Sequence, residues 1–224
     1  VLELACAILR QICRYCGRGA GLVKKNGIEL VANVLTAYPA DVNLQASCLR
    51  VWQQVVAKGA SGDLEEVDEG KGIGEDDEGG DVDSDGGRSQ SSSQAPGDDT
   101  VAKIELAGGV ELILKAMENH VAAVEIQACG CGLVALLSRG MVDFRAKIDS
   151  LGGIGLVLQA MREHVEDFEL QQLACEALVT FATDFGCKTQ REQIVAFGGA
   201  EPLLAAMRVH ACIEVRESAC AVLR

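Results

Sequence analysis

The chain has 224 residues, of which 49% are apolar but only 4% aromatic, and it carries a formal net charge of −13. That is enough apolar material for a core, but an aliphatic one of Leu, Ile, Val, Ala and Cys, which favours helices over strands. The charge is local: residues 60–99 hold 14 acidic and 2 basic side chains against 19 and 18 elsewhere, so a broad basic surface for nucleic acid is excluded, and no apolar run reaches the length of a bilayer span.

In chain order, residues 2–16 (LELACAILRQICRYC) read as an amphipathic helix, the last one of a repeat whose beginning is missing. A short helix then ends at Gly27, a second runs from Ile28 to Tyr38 before Pro39, and a longer third spans Leu44–Lys58. After the acidic stretch the same order returns. Short helices are predicted at Val101–Ala107, Phe144–Leu151 and Gln190–Phe197, each followed by Gly-Gly, where a residue free to take positive φ turns one helix into the next. Middle helices occupy Gly108–His120 (GGVELILKAMENH), Gly152–His164 (GGIGLVLQAMREH) and Gly198–His210 (GGAEPLLAAMRVH). Glu29, Glu111 and Glu201 stand in their first turns, where the helix dipole favours a carboxylate, and Pro202 suits the same turn. Long helices follow at Ile126–Ser138, Leu170–Thr183 and Val215–Arg224.

The second glycine of each pair marks the period. Gly109 to Gly153 is 44 residues and Gly153 to Gly199 is 46, while Gly27 to Gly109 is 82, or 42 once the 40-residue acidic stretch is set aside. The chain thus divides into 1–59, the last helix of a truncated repeat plus one full repeat; 60–99, an acidic insert; and 100–224, two full repeats plus a truncated third. No helix can bury its apolar face alone, so the repeats must stack into one elongated core. Neither end has a polar cap and the chain stops inside a helical pattern, which reads as a fragment of a longer protein. The start lacks the n-region and cleavage site of a signal peptide. Cys6, Cys48, Cys131, Cys175 and Cys220 fall at repeat positions inside apolar patterns, as buried free thiols of a reducing compartment, cytoplasmic or nuclear, would.

Three segments carry a family resemblance: QREQIVAFGGAEPLLAAM (Gln190–Met207), FRAKIDSLGGIGLVLQAM (Phe144–Met161) and LQQLACEALVTFA (Leu170–Ala182). Together with three helices per repeat, they resemble the armadillo repeat family over nearly all of the chain except the insert. The resemblance implies an all-α, right-handed superhelical solenoid whose long third helices line a concave groove for partner proteins. Import adaptors of that family carry a Trp one residue after the Ala-Cys pair and an Asn four residues later. Aligned on the cysteines, this chain has Ala7 and Gln11, Leu49 and Gln53, Gly132 and Leu136, Glu176 and Thr180, then Ala221. Without that ladder, a role in importing basic nuclear-localisation peptides is disfavoured.

The residues one, five and eight places after each aligned cysteine share one helix side, which in the family faces the groove. They are Ala7, Gln11 and Arg14; Leu49, Gln53 and Val56; Gly132, Leu136 and Arg139; and Glu176, Thr180 and Thr183. The candidate binding residues are Gln11, Arg14, Gln53, Leu136, Arg139, Glu176, Thr180 and Thr183, with partner carboxylates expected near the two arginines. Nothing assembles into a catalytic triad, a carboxylate pair or a phosphate loop, so no enzyme, cofactor or small-molecule substrate is implied. The expected function is a protein-binding scaffold; the alternative is a regulatory solenoid attached to an enzyme domain elsewhere in a longer chain.

Three sharper readings lose to plainer ones. His120, His164 and His210 share one repeat position at the end of the middle helix, which points to a structural role and not to a shared metal. Cys13-x-x-Cys16 lacks a second ligand pair. Asp81–Gly86 begins like a calcium loop, but the twelfth position is Ser92 where a bidentate Glu belongs. The insert, with nine Gly and six Ser, reads as disordered; its serines or its charge could instead be regulatory.

Overall fold

The computed structural model describes residues 27–61, 96–139, 142–183 and 188–224, with side chains for 27–57 and, within those ranges, from 100 onward. The expectations for Gln11, Arg14, Cys13, Cys16 and Asp81–Ser92 lie outside the described residues. Every regular element among the described residues is an α-helix: α1 Gly27–Ala37, α2 Val42–Ser61, α3 Pro96–Leu106, α4 Gly109–Asn119, α5 Val124–Ser138, α6 Val142–Ser150, α7 Gly153–Glu163, α8 Phe168–Ala182, α9 Lys188–Ala196, α10 Ala200–Val209 and α11 Ile213–Leu223. The order short, middle, long is thus present. The helices reach past the expected bounds of the insert, α2 to Ser61 and α3 from Pro96. The long helices also begin two residues earlier than expected. For α8 the reason is Asp167, whose Oδ1 accepts the N–H of Leu170 at 2.8 Å and so caps the extra turn. Asp41 does the same for Leu44 at 3.1 Å.

The middle helices bury a stripe at helical spacing. Val110, Ile113, Leu114, Ala116 and Met117 of α4 recur as Ile154, Val157, Leu158, Ala160 and Met161 of α7, all buried. The long helices α2, α5, α8 and α11 pack side by side in sequence, and α1, α4, α7 and α10 pack likewise in a second row. Helix α5, with neighbours on both sides and α4 against it, is buried around most of its circumference from Ile126 to Ser138. It has room for this because two of its residues are glycines: a Cβ on Gly130 would stand 2.5 Å from Met117, and one on Gly132 would stand 2.3 Å from the Gln53 amide. Helix α2 packs directly on both α3 and α5, so the helices on either side of residues 62–95 meet across that segment.

The two glycines of each pair do different jobs. Gly108, Gly152 and Gly198 take φ of 70°, 78° and 66°, the left-handed turn expected from the sequence. The second glycines are required for space. A Cβ on Gly109, Gly153 or Gly199 would stand 2.3, 2.3 or 2.6 Å from the Cγ2 of Ile104, Ile148 or Ile194, the buried isoleucine of the preceding short helix. The Gly-Gly pair therefore sets both the turn and the closeness of the short helix to the middle one.

Candidate protein-binding face

The expected face lies on α2, α5 and α8, and the structure corrects its register in the first repeat. The register is fixed by glutamine, not cysteine. Gln45 Nε2 donates to the carbonyls of Leu35 and Tyr38 at 2.8 and 2.9 Å, Gln127 to those of Met117 and His120 at 2.7 and 3.0 Å, and Gln171 to those of Met161 and His164 at 2.8 and 3.0 Å. Each glutamine is buried and closes the end of the middle helix before it, where the second carbonyl of each pair also accepts a backbone N–H. All three stand 18 residues after the marking glycine, whereas Cys48 stands 21 after it and Cys131 and Cys175 stand 22 after it. Cys48 therefore aligns with Gly130 and Ala174, and Leu49 aligns with Cys131 and Cys175. The burial agrees: Leu49 and Val56, expected on the face, are core residues at 0% and 3% exposure. Their places are taken by Arg50 and Gln54, both half-buried, and by the exposed Ala57.

Of the candidate residues, the structure brings Arg139 and Glu176 together across α5 and α8. The guanidinium Nη2 lies 3.2 Å from Glu176 Oε2, and Gln172 Nε2 reaches the other carboxylate oxygen at 3.4 Å. Arg139 thus already holds a carboxylate of its own chain. Both side chains are partly solvated, so the pair contributes at most about 1 kcal/mol and opens at low cost. Thr180 donates its hydroxyl to Ala177 O at 2.7 Å and Thr183 donates to Val179 O at 2.8 Å, leaving acceptor lone pairs outward. Leu136 is half-buried and supplies apolar surface beside them. Gln53 does not stand at the aligned position. It lies instead over Gly132, and Leu173 Cδ1 approaches the same point from α8, at 3.5 Å from where a Cβ would be. Gly132, expected on the face, is consequently buried beneath these two side chains.

The histidines form a separate row. His120 Nε2 meets Pro39 O at 2.7 Å, His164 Nε2 meets Val121 O at 2.7 Å, and His210 Nε2 meets Val165 O at 2.8 Å. With a carbonyl as partner the ring nitrogen must be the donor, so Nε2 carries the proton in all three. Each bond runs to the repeat before it. This points to a structural role, and its basis is a hydrogen bond between repeats. His210 is buried and also packs edge-on against Phe168, ring centroids 5.8 Å apart. Among the described residues no group of three His, Cys, Asp or Glu side chains is placed to hold a metal ion, and no helix is long and apolar enough to cross a membrane.

The chain matches no family model, no curated protein and no solved structure.

Cys129, Cys131 and Cys175, on the long helices α5 and α8, are buried, outside any disulfide and held protonated. Burial pushes Cys131 and Cys175 up to about 12, aided by Cys175 and Glu176 respectively, and pushes Cys129 up to about 11 against the opposing charge of Arg50. In an unfolded chain they would ionise near 9.0. The contribution of these buried thiols to stability is therefore complete below pH 9 and is lost as pH climbs toward 12. Alkylation of the native protein, read residue by residue by mass spectrometry, should label the exposed Cys220 well before Cys129, Cys131 or Cys175. Labelling of Cys131 at the rate of Cys220 would contradict this packing.

Proposed function

We propose that this chain is a non-catalytic, armadillo-type solenoid that binds partner proteins along the row of its third helices. The observation that carries the reading is the consecutive side-by-side packing of α2, α5, α8 and α11, which sets residues of separate repeats on one face. Arg50 and Gln54, then Leu136 and Arg139, then Glu176 and Thr180 line that face in order. They offer guanidinium, amide, carboxylate and hydroxyl groups around a modest apolar centre, the mixture of a non-obligate protein interface. An extended peptide of a partner, with a carboxylate displacing Glu176 from Arg139, suits this arrangement. Import of basic peptides remains disfavoured under the corrected register as well, since the ladder positions in the first repeat become Arg50 and Gln54.

The test takes a partner recovered by affinity capture on the intact chain and measures its Kd against two pairs of variants. Leu136→Glu with Arg139→Glu should weaken binding about tenfold or more, as removal of central contacts does. Lys188→Ala with Glu192→Ala, an exposed pair on α9 at 3.7 Å, should change it less than twofold. Circular dichroism checks that both variants fold. Equal losses, or a larger loss from the α9 pair, would remove the third-helix row as the binding face.

A further inference from the structure

The successive middle helices differ in what lies over the glycine turn that joins the next short and middle helices. At the α7–α10 step, Arg162 reaches across and its Nη2 donates to the carbonyls of Phe197 and Gly198. Its guanidinium lies 3.6 Å from where a Cβ on Gly198 would be. At the α4–α7 step the residue aligned with Arg162, nine places past the marking glycine, is Glu118. A carboxylate cannot donate to a carbonyl. The oxygen of Leu151, aligned with that of Phe197, accepts no hydrogen bond among the described residues, and nothing stands within 4 Å of a Cβ built on Gly152. A groove of about 450 Å³ opens there, with Leu114, Leu151 and Leu156 along it. At the α1–α4 step the aligned residue is Thr36, its hydroxyl spent on Ala32 O.

Charge within the groove is divided. Glu111 is occupied by Lys147 at 3.0 Å, while Glu118 has no partner among the described residues. Lys115 also stands on the rim but makes no bond to the Leu151 oxygen. We propose that the α4–α7 groove is a docking site for an arginine side chain presented by a partner protein, taking the place that Arg162 fills from within at the next step. The guanidinium donates to Leu151 O and pairs with Glu118, while its methylene stem lies along Leu114 and Leu156. A planar fork of donors satisfies both acceptors at once; an ammonium offers a point charge only. This site lies on the middle helices and is independent of the third-helix row.

The test uses the intact 23.6 kDa chain and its amide resonances. N-acetyl-arginine N-methylamide should shift the signals of Gly152 and Glu118 saturably, with a Kd of the order of millimolar, since the site is open to solvent. Glu118→Arg supplies its own guanidinium and should weaken that binding about tenfold, the scale of one charge-assisted hydrogen bond. Arg162→Glu recreates the acceptor set one step on, and should add a second saturable response at Gly198. N-acetyl-norleucine N-methylamide should leave Gly152 unmoved. Equal shifts from the norleucine probe, or unchanged arginine binding in Glu118→Arg, would overturn the proposal. If Arg162→Glu disturbs the fold, the Glu118→Arg and norleucine arms still decide.

Discussion

Replacing Gly153 with alanine is expected to cost about 2–4 kcal/mol of stability, more than the same change at its neighbour. The added Cβ would stand 2.3 Å from Ile148 Cγ2, 2.9 Å from Ile148 O and 3.4 Å from Leu114 Cδ2. Ile148 is 1% exposed and cannot swing away without opening the core. The carbonyl belongs to the backbone of α6, so α6 itself must separate from α7. Gly152→Ala meets nothing within 4 Å and suffers only the penalty of a left-handed φ of 78°, about 1–2 kcal/mol. Urea unfolding of the two variants at equal m-values measures the difference. A midpoint for Gly153→Ala at or above that for Gly152→Ala would show that the second glycine is not needed for close approach.

Gln171→Leu should cost about 1–3 kcal/mol, for a different reason. The side chain is fully buried and its amide closes the carbonyls of Met161 and His164; leucine fills the volume, leaves Met161 O without a donor and leaves His164 O with the N–H of Asp167 alone. Gln172→Leu, one residue on and only half-buried, should stay within about 0.5 kcal/mol. Gln171→Glu adds a pH signature. An ionised carboxylate facing two carbonyls has no proton to donate, so its folded pKa rises above the ordinary value of about 4.3. That variant should recover stability as pH falls toward the unfolded value and lose it as pH rises through the folded one. Thermal melts from pH 4 to pH 8 would show it. Similar costs at 171 and 172, or no recovery on acidification, would argue against the glutamine as a helix closure.

The helices were legible because each repeat restates its own boundaries. Gly-Gly announces the left-handed turn, and the Ile113–Met117 and Val157–Met161 stripes announce the middle helix. The register of the candidate face was less legible. Cysteine is a small apolar filler that one repeat places at the wall of α2 and another one residue further on, so it is a poor ruler. Glutamine serves better because two carbonyls at the end of a helix can be closed from only one place on the next. Its constant distance from Gly27, Gly109 and Gly153 was visible in the chain, but a single buried amide does not stand out among polar residues. The exchange of Arg162 for Glu118 was visible too. Its meaning depends on a carbonyl oxygen, and no side-chain pattern reports where a main-chain oxygen points.

The histidine bonds all run backward, each repeat reaching to the loop of the one before it and none reaching forward. Such links act in series. A force or fluctuation that separates α10 from α7 loads the bond from His210 to Val165 and leaves the bonds from His164 and His120 unstrained. Every seam therefore opens at the same local loss, one ring N–H and one carbonyl oxygen that water can then satisfy. The array is built to come apart one seam at a time, each seam failing without loading the next.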